Sequence, residues 1–219
     1  MQKKIAIIHT SFVSVNELKA LFAKFVPEAQ IMNIVDDSLL AEVVANGSVT
    51  PGIVKRICTY AHQAQEQGAD LIFNQCSSVS EAIDVAEKML TIPCLKVDQA
   101  MADKAVEMGK KIAVVATVAS TMGPSTRLVA RAAKKANKQI LITECLVDGA
   151  MDILIREGDV EKHNKMVLQE IEKIADQHDV IVLAQGSMIV LLPLLAHIKT
   201  PILTSPQIGV ERVRTVLGL

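Results

Sequence analysis

Short apolar runs alternate with longer amphipathic stretches along the whole chain. The runs cover residues 4–8, 30–34, 70–74, 111–116, 139–146, 180–184 and 202–203. Between the first two, residues 14–26 carry Leu18, Leu21, Phe22 and Phe25 at helical spacing. Strands separated by helices indicate a mostly parallel sheet covered on both faces. The pattern therefore predicts an α/β fold.

Several helix ends can be predicted from local signals. Thr50 followed by Pro51 is typical of an N-cap and first helical position. Ser78 and Glu81 have the spacing of a capping box, which predicts that a helix covers residues 79–89. Residues 160–177 are predicted to form another long helix with Lys and Glu on its solvent face.

One apolar segment, residues 180–198, is nearly long enough to cross a membrane. Its apolar character is interrupted by Gln185, Gly186, Ser187 and Pro193. A buried strand, a tight polar turn and a buried helix account for it better, and we predict no membrane association.

Three anchors repeat in the same order at nearly one offset. Lys3–Thr10 resembles Lys110–Thr117 at an offset of 107, and the apolar phrases that begin at Asp70 and Asp179 are offset by 109. Pro93 and Pro201 follow at 108. Shared composition among βα units could produce each match singly, whereas the set favours an internal duplication. We predict two pseudo-symmetric, Rossmann-like lobes with parallel sheets, made of residues 1–97 plus 203–219, and 98–202.

Composition narrows the function classes. Half of the residues are hydrophobic, only 2% are aromatic, and the formal net charge is −1. Lys and Arg are spread along the chain, which argues against a nucleic-acid surface. The four cysteines show no CxxC pattern, so we expect a reducing, cytoplasmic compartment. The histidines show no metal-ligand spacing, and we predict no metal.

Small polar clusters follow four of the predicted strands. Ligands of open parallel sheets bind beyond the carboxyl ends of strands, and free N–H groups at helix starts suit a carboxylate. Neither GxGxxG nor GxxxxGK[ST] occurs, so a dinucleotide or P-loop ligand is not supported. We predict that one cleft binds a small carboxylate through Thr10, Ser11, Ser77, Ser78, Thr117, Ser120, Thr121, Gly186 and Ser187.

Cys76 and His9 are the candidate proton-transfer residues. Cys76 lies between a strand end and a predicted helix, where a lowered thiol pKa is expected to make a thiolate accessible as a base or nucleophile. The alternative is a buried inert cysteine. His9 ends the first strand, and its side chain suits acid–base work, although a lone histidine is more often structural or merely polar.

The segments GADLIFNQCSS, KKIAVVATVAST and DVIVLAQGSM, together with the duplicated plan, resemble the aspartate/glutamate/hydantoin racemase superfamily over nearly the whole chain. The resemblance implies a cofactor-independent enzyme, in which two cysteines face each other across a pseudo-symmetric cleft. Cys76 matches the first, and Gln185 stands where the second is expected. Thr117, Ser120 and Thr121 match the hydroxyl turn that holds the substrate carboxylate. The expected assembly is a homodimer.

Gln185 leaves three functions open, because its amide does not titrate and can only orient or polarise a substrate. The first is a racemase or isomerase of an amino acid or related carboxylate, with Cys76 as acid and base. The second is a single-cysteine lyase, such as a decarboxylase of a substituted malonate. The third is a carboxylate-binding protein without turnover.

Overall fold

The computed structural model describes residues 2–219. Eight strands alternate with helices along the chain. The strands are β1 (Lys4–His9), β2 (Gln30–Val35), β3 (Leu71–Asn74), β4 (Cys94–Lys96), β5 (Lys111–Ala116), β6 (Leu141–Leu146), β7 (Val180–Leu183) and β8 (Ile202–Thr204). The helices are α1 (Val15–Phe25), α2 (Ser38–Asn46), α3 (Pro51–Glu66), α4 (Ser80–Glu87), α5 (Gln99–Met108), α6 (Ala119–Lys135), α7 (Ala150–Asp152), α8 (Val160–Ile174) and α9 (Ser205–Leu217).

The strands form two parallel four-stranded sheets with the same topology. The first has the order β2-β1-β3-β4, and the second has the order β6-β5-β7-β8. Within each sheet, the first strand pairs in register with both its neighbours, as Ile5 does with Ile31 and Leu71. Ile112 pairs in the same way with Ile142 and Val180. The α/β class and the pair of similar lobes are thereby confirmed.

The chain divides into two compact units. Unit 1 contains the residues up to Ala100 together with Pro206–Leu219, and unit 2 contains Met101–Ser205. Because β8 pairs with β7, the second sheet extends to Thr204. The chain therefore returns to unit 1 at Pro206, three residues beyond the position expected from the sequence.

The core of unit 1 follows from the alternation of side chains along β1. Ile5 and Ile7 point to one face, where they join Phe22 of α1 and Val210 and Val213 of α9. The opposite face has its own cluster, which includes Ala6, Ile8, Ile53, Ile57, Ile72 and Ile83. Both faces of the sheet are apolar, which explains why its strands are continuous hydrophobic runs.

In unit 2, one face of the sheet packs against α8 and the segment after β7. Val115 and Leu183 of the sheet meet Val167 and Ile171 of α8, and Leu191 lies in the same cluster. All five side chains are completely buried. Aliphatic side chains fill this core, as the scarcity of aromatic residues requires.

The aspartates that begin the two repeated phrases have one structural role. Asp70 accepts a hydrogen bond from the Lys4 N–H at 2.8 Å, at the start of β1. Asp179 accepts from the N–H groups of Lys110 and Lys111, at 2.7 and 2.9 Å, at the start of β5. These backbone hydrogen bonds hold the pKa of each carboxyl below its ordinary value. Each aspartate thus secures the first strand of its sheet.

The predicted cap of α3 is confirmed, since the Thr50 side chain accepts a hydrogen bond from the Ile53 N–H and Pro51 is the first helical residue. The membrane-length segment divides into β7 and a 3₁₀ helix, Gly186–Leu195. The predicted buried helix is therefore of the 3₁₀ type. Within residues 2–219, the helices all fall short of the length and apolarity needed to span a membrane.

Candidate active site

Cys76 and Gln185 occupy equivalent positions in the two units. Cys76 lies two residues after β3, with φ −113° and ψ 121°, and Gln185 lies two residues after β7, with φ −121° and ψ 131°. The carbonyl of Cys76 accepts from the Val79 N–H at 3.3 Å, and that of Gln185 accepts from the Met188 N–H at 3.0 Å. The internal repeat therefore places a thiol and an amide at matching strand exits, as predicted from the sequence.

Hydrogen-bond donors from two strand exits of unit 1 favour the charged form of the Cys76 sulfur. Thr10, just beyond β1, contributes its hydroxyl group. The hydroxyl and N–H of Ser78 and the N–H of Val79, which also donates to the Cys76 carbonyl, likewise lower the pKa of the thiol. We call these groups the thiol cradle. Hydrogen bonds to the charged form stabilise it, so all of these donors favour a thiolate.

Burial and the thiol cradle have opposite effects on the pKa of Cys76, and the effect of burial is the larger. Removal of the sulfur from water raises the pKa of Cys76 above its ordinary value, although the cradle donors lower it. The prediction of a lowered thiol pKa from the helix-start position is therefore wrong. A short 3₁₀ turn, Ser77–Val79, follows the cysteine, and its two N–H groups do not compensate for the loss of hydration. Cys76 rests as a neutral thiol at neutral pH.

Ser78 has a different role from the one its spacing to Glu81 suggests. α4 begins at Ser80 with Val79 at the N-cap position, and no side chain caps it. The predicted capping box is wrong because the 3₁₀ turn displaces the helix start by one residue. The buried Ser78 hydroxyl instead interacts with the Cys76 sulfur. Ser77 lies beside it with partial exposure.

His9 is completely buried, and both nitrogens of its ring have partners. Nε2 lies 2.9 Å from Asn33 Oδ1 on β2, and Nδ1 lies 3.5 Å from Ser14 Oγ. Burial lowers the pKa of His9, against the hydrogen bond to Asn33, so the ring is neutral near pH 7. The imidazole ties the end of β1 to β2 and to the residue before α1. A direct role of His9 in proton transfer stays a prediction.

The loop after His9 contains the other predicted residues of this exit. Thr10 is buried and reaches the Cys76 sulfur, whereas Ser11 is partly exposed. Unit 1 therefore brings Thr10, Cys76 and Ser78 together around one sulfur atom.

In unit 2, the Gln185 side chain is hydrogen-bonded to Thr117. Gln185 Oε1 accepts from the Thr117 N–H at 2.7 Å and from the Thr117 hydroxyl at 3.2 Å. Gln185 Nε2 also lies 3.0 Å from Thr117 Oγ1, within donating distance. These contacts join the exits of β5 and β7. The amide is thus held by the same residue that the sequence assigns to carboxylate binding.

The remaining predicted residues of unit 2 adjoin this pair. Ser120 and Thr121 lie in the first turn of α6, with Thr121 buried and the Ser120 Oγ atom buried without a hydrogen-bond partner. Gly186 and Ser187 open the 3₁₀ helix that follows Gln185. None of these residues has a side chain that titrates near neutral pH. Cys76 and His9 therefore remain the titratable candidates at the named strand exits.

Asn74 is a site residue that the sequence reasoning missed. It ends β3 and its side chain is almost fully buried, and its Nδ2 donates to the Cys76 carbonyl at 2.9 Å. This bond fixes the turn that carries the cysteine. An amide in an otherwise apolar buried strand, LIFN, is the signal that could have revealed it. Asn33, the partner of His9, gives no such signal, because it is exposed in β2.

Residues 2–219 contain no group of three or more His, Cys, Asp and Glu side chains arranged to hold a metal ion. The strand-exit cluster of unit 1 supplies a thiol, hydroxyl groups and backbone N–H groups, and that of unit 2 supplies hydroxyl groups, an amide and backbone N–H groups. Such groups can bind a carboxylate and transfer a proton.

The protein is a duplicated α/β protein with two parallel sheets, each of which has a small polar cluster at its strand exits. The family model for Asp/Glu/Hydantoin racemase matches residues 6–213, and the chain belongs to this family. No curated protein matches the chain in sequence.

Solved structures share the fold over nearly the whole chain. A candidate Asp/Glu racemase from Yersinia pestis has a TM-score of 0.79 at 19% identity, covering 97% of this chain and 98% of that chain. Glutamate racemase from Francisella tularensis in complex with D-glutamate has a TM-score of 0.73 at 16% identity, covering 99% of this chain and 80% of that chain. Unliganded arylmalonate decarboxylase has a TM-score of 0.60 at 14% identity, covering 99% of this chain and 93% of that chain. At these identities the likeness establishes the fold.

Proposed function

We propose that the protein is a cofactor-independent racemase or isomerase of an amino acid or a related small carboxylate, with Cys76 as its proton-transfer group. The observation that carries the proposal is the thiol cradle, in which donors of Thr10, Ser78 and Val79 favour the charged form of one partly buried thiol. Membership of the racemase family supports the reaction type.

The raised pKa of Cys76 suits this chemistry. A proton on the carbon next to a carboxylate is very weakly acidic, and a more basic thiolate removes it more readily. The cradle limits the cost of forming that thiolate inside the protein. The same thiol returns a proton to the carbanion, because its raised pKa keeps it protonated at neutral pH.

Carboxylate recognition is assigned to Thr117, Ser120 and Thr121, in accordance with the resemblance to the family. The buried Ser120 Oγ, which has no partner, supports this assignment because a bound oxygen atom would give it one. The idea that both sets of exits serve one cleft rests on the resemblance.

The presence of an amide, Gln185, where a second cysteine is expected favours a second candidate function, that of a single-cysteine lyase. Racemisation by two bases requires a proton carrier on each face of the carbon, and an amide carries no proton at neutral pH. A decarboxylase requires only one proton carrier. The C–C bond to the leaving carboxylate breaks, CO₂ departs, and the enediolate that remains takes a proton from Cys76. One of the structural neighbours is an arylmalonate decarboxylase.

The test is incubation of the protein with a panel of amino acids, hydroxy acids and substituted malonates in D₂O, followed by NMR. Deuterium at the α-carbon with formation of the opposite enantiomer supports the racemase. Release of CO₂ with deuterium on one face only establishes the lyase instead. Binding of a carboxylate without either reaction would sink both proposals.

Cys76→Ala is expected to lower the exchange rate by about 10²–10⁴, the usual loss of an essential acid or base. Cys58→Ala is the matched control, since Cys58 lies in α3, away from the strand exits. Equal rates in both variants would remove Cys76 from the mechanism. Gln185→Cys is expected to raise exchange on the second face if the absent thiol limits racemisation.

A further inference from the structure

The Gln185 side chain occupies two hydrogen-bond donors of its own strand exit. The Thr117 N–H donates to Gln185 Oε1 at 2.7 Å, and the Thr117 hydroxyl lies 3.2 Å from the same oxygen. Gln185 is only partly exposed, and Thr117 is buried. The Thr117 N–H and hydroxyl therefore bind one sp² oxygen atom that the protein itself supplies.

A carboxylate oxygen has the same acceptor geometry as an amide oxygen but carries more negative charge. Hydrogen bonds from N–H and O–H donors to a charged acceptor are about twice as strong as those to a neutral acceptor. Thr117 also lies just before α6, a helix of 17 residues, whose partial positive charge at this end favours an anion. The donors of Thr117 are thus better matched to a carboxylate than to the Gln185 amide that they now bind.

The repeat in unit 1 gives an internal comparison. There Thr10 corresponds to Thr117, and its hydroxyl interacts with the sulfur of Cys76, the counterpart of Gln185. In both units the threonine after the first strand contacts the side chain after the third strand. In unit 2 that side chain is an amide, which presents to the threonine an oxygen acceptor of the kind a carboxylate would bring.

We propose that Gln185 is an internal stand-in for the substrate carboxylate, and that an incoming carboxylate displaces its amide from Thr117. The inference rests on the proposed function and specifies how that site recognises its ligand. Displacement frees both donors of Thr117, and the buried, unpartnered Ser120 Oγ lies three residues further along. Gln185 thereby sets the affinity, because the ligand competes with a contact that is always present.

The experiment uses ¹⁵N-labelled full-length protein titrated with sodium malonate as the probe. The amide resonance of Thr117 reports binding, and its hydrogen-exchange rate reports release of the Gln185 contact. Gln185→Ala is expected to bind malonate about five- to tenfold more tightly, because one or two competing hydrogen bonds are lost. The Thr117 amide of this variant should exchange faster in the absence of malonate.

Two further variants control the interpretation. Gln185→Glu keeps the side-chain length but places a negative charge at Thr117, and should weaken malonate binding at pH 7. Gln177→Ala removes a glutamine of the same unit that donates only to the Lys173 carbonyl at the surface. It should leave both the malonate affinity and Thr117 exchange unchanged.

Weaker or equal malonate binding by Gln185→Ala would overturn the inference, since it would make Gln185 a direct ligand contact or a bystander. Failure of malonate to perturb Thr117 in both the unmodified protein and Gln185→Ala would also overturn it. The assay requires no turnover. Tighter binding without α-exchange of any carboxylate in D₂O would therefore refute the proposed function alone, and exchange with weaker binding would refute this inference alone.

Discussion

The thiol cradle should control how readily Cys76 ionises. Thr10→Val removes one hydroxyl while keeping the side-chain volume, and Ser78→Ala removes another. Each hydroxyl interacts with the Cys76 sulfur, and each lowers the thiol pKa against the effect of burial. Without one of these hydroxyls, less remains to counteract the effect of burial on the thiol. The pKa of Cys76 should therefore rise further in both variants.

The magnitude follows from the charge of the acceptor. A hydrogen bond to an ionised group contributes about 1.5–3 kcal/mol, which corresponds to at least about a tenfold change in the amount of thiolate at a fixed pH. We expect Cys76 to react about tenfold more slowly with iodoacetamide in each single variant. The double variant should fall short of the product of the two effects, because both hydroxyls share one sulfur.

The assay is alkylation resolved by peptide mass spectrometry between pH 7 and pH 11. Cys58 and Cys145 serve as internal references, because they lie in α3 and β6, outside the cradle. Their rates should be unchanged in the variants. An unchanged Cys76 rate in Thr10→Val, with unchanged references, would refute the claim that the cradle supports the thiolate.

Two predictions concern stability. Gly209→Ala should destabilise the protein by about 1–3 kcal/mol in urea unfolding, because an added Cβ would clash with the Val97 carbonyl oxygen where α9 packs within unit 1. Gly52→Ala, with its nearest contact at 3.5 Å, should not. Equal stabilities would show that α9 can move without cost. Burial, followed by the charges of Glu87 and Cys58, raises the pKa of Cys94 from 9.0 to about 12. The stability that protonated Cys94 contributes to the folded state is therefore complete below pH 9. It declines from pH 9 to 12, by at most about 1 kcal/mol per pH unit for this partly exposed thiol. Cys94→Ala should flatten the alkaline loss of stability, and parallel curves for the two proteins would contradict this assignment.

The sequence by itself determined the architecture. Continuous aliphatic runs such as those around Ile7 and Val114 can be stable only as strands buried on both faces, and the amphipathic stretches between them require helices. The repeated aspartates, Asp70 and Asp179, anticipated the duplication because each secures the first strand of its sheet. Chain order and the period of hydrophobic residues are sufficient for these conclusions.

The sequence also indicated which positions would be equivalent. Cys76 and Gln185 follow matching strands by the same number of residues, and the rules of parallel sheets place strand exits at one edge. Family membership followed from the same segments. These properties are local or depend on strand order, so no contact between distant residues had to be known.

Only the tertiary structure decided the chemistry of those positions. The pKa of Cys76 depends on how much protein excludes water from its sulfur, and the partner of Gln185 lies 68 residues away in the chain. The role of Ser78 depended on where a 3₁₀ turn gives way to α4, and the pKa of His9 depended on its burial and on a hydrogen bond to Asn33 in a neighbouring strand. Desolvation and long-range hydrogen bonds arise from packing between segments, and local sequence patterns carry no measure of either.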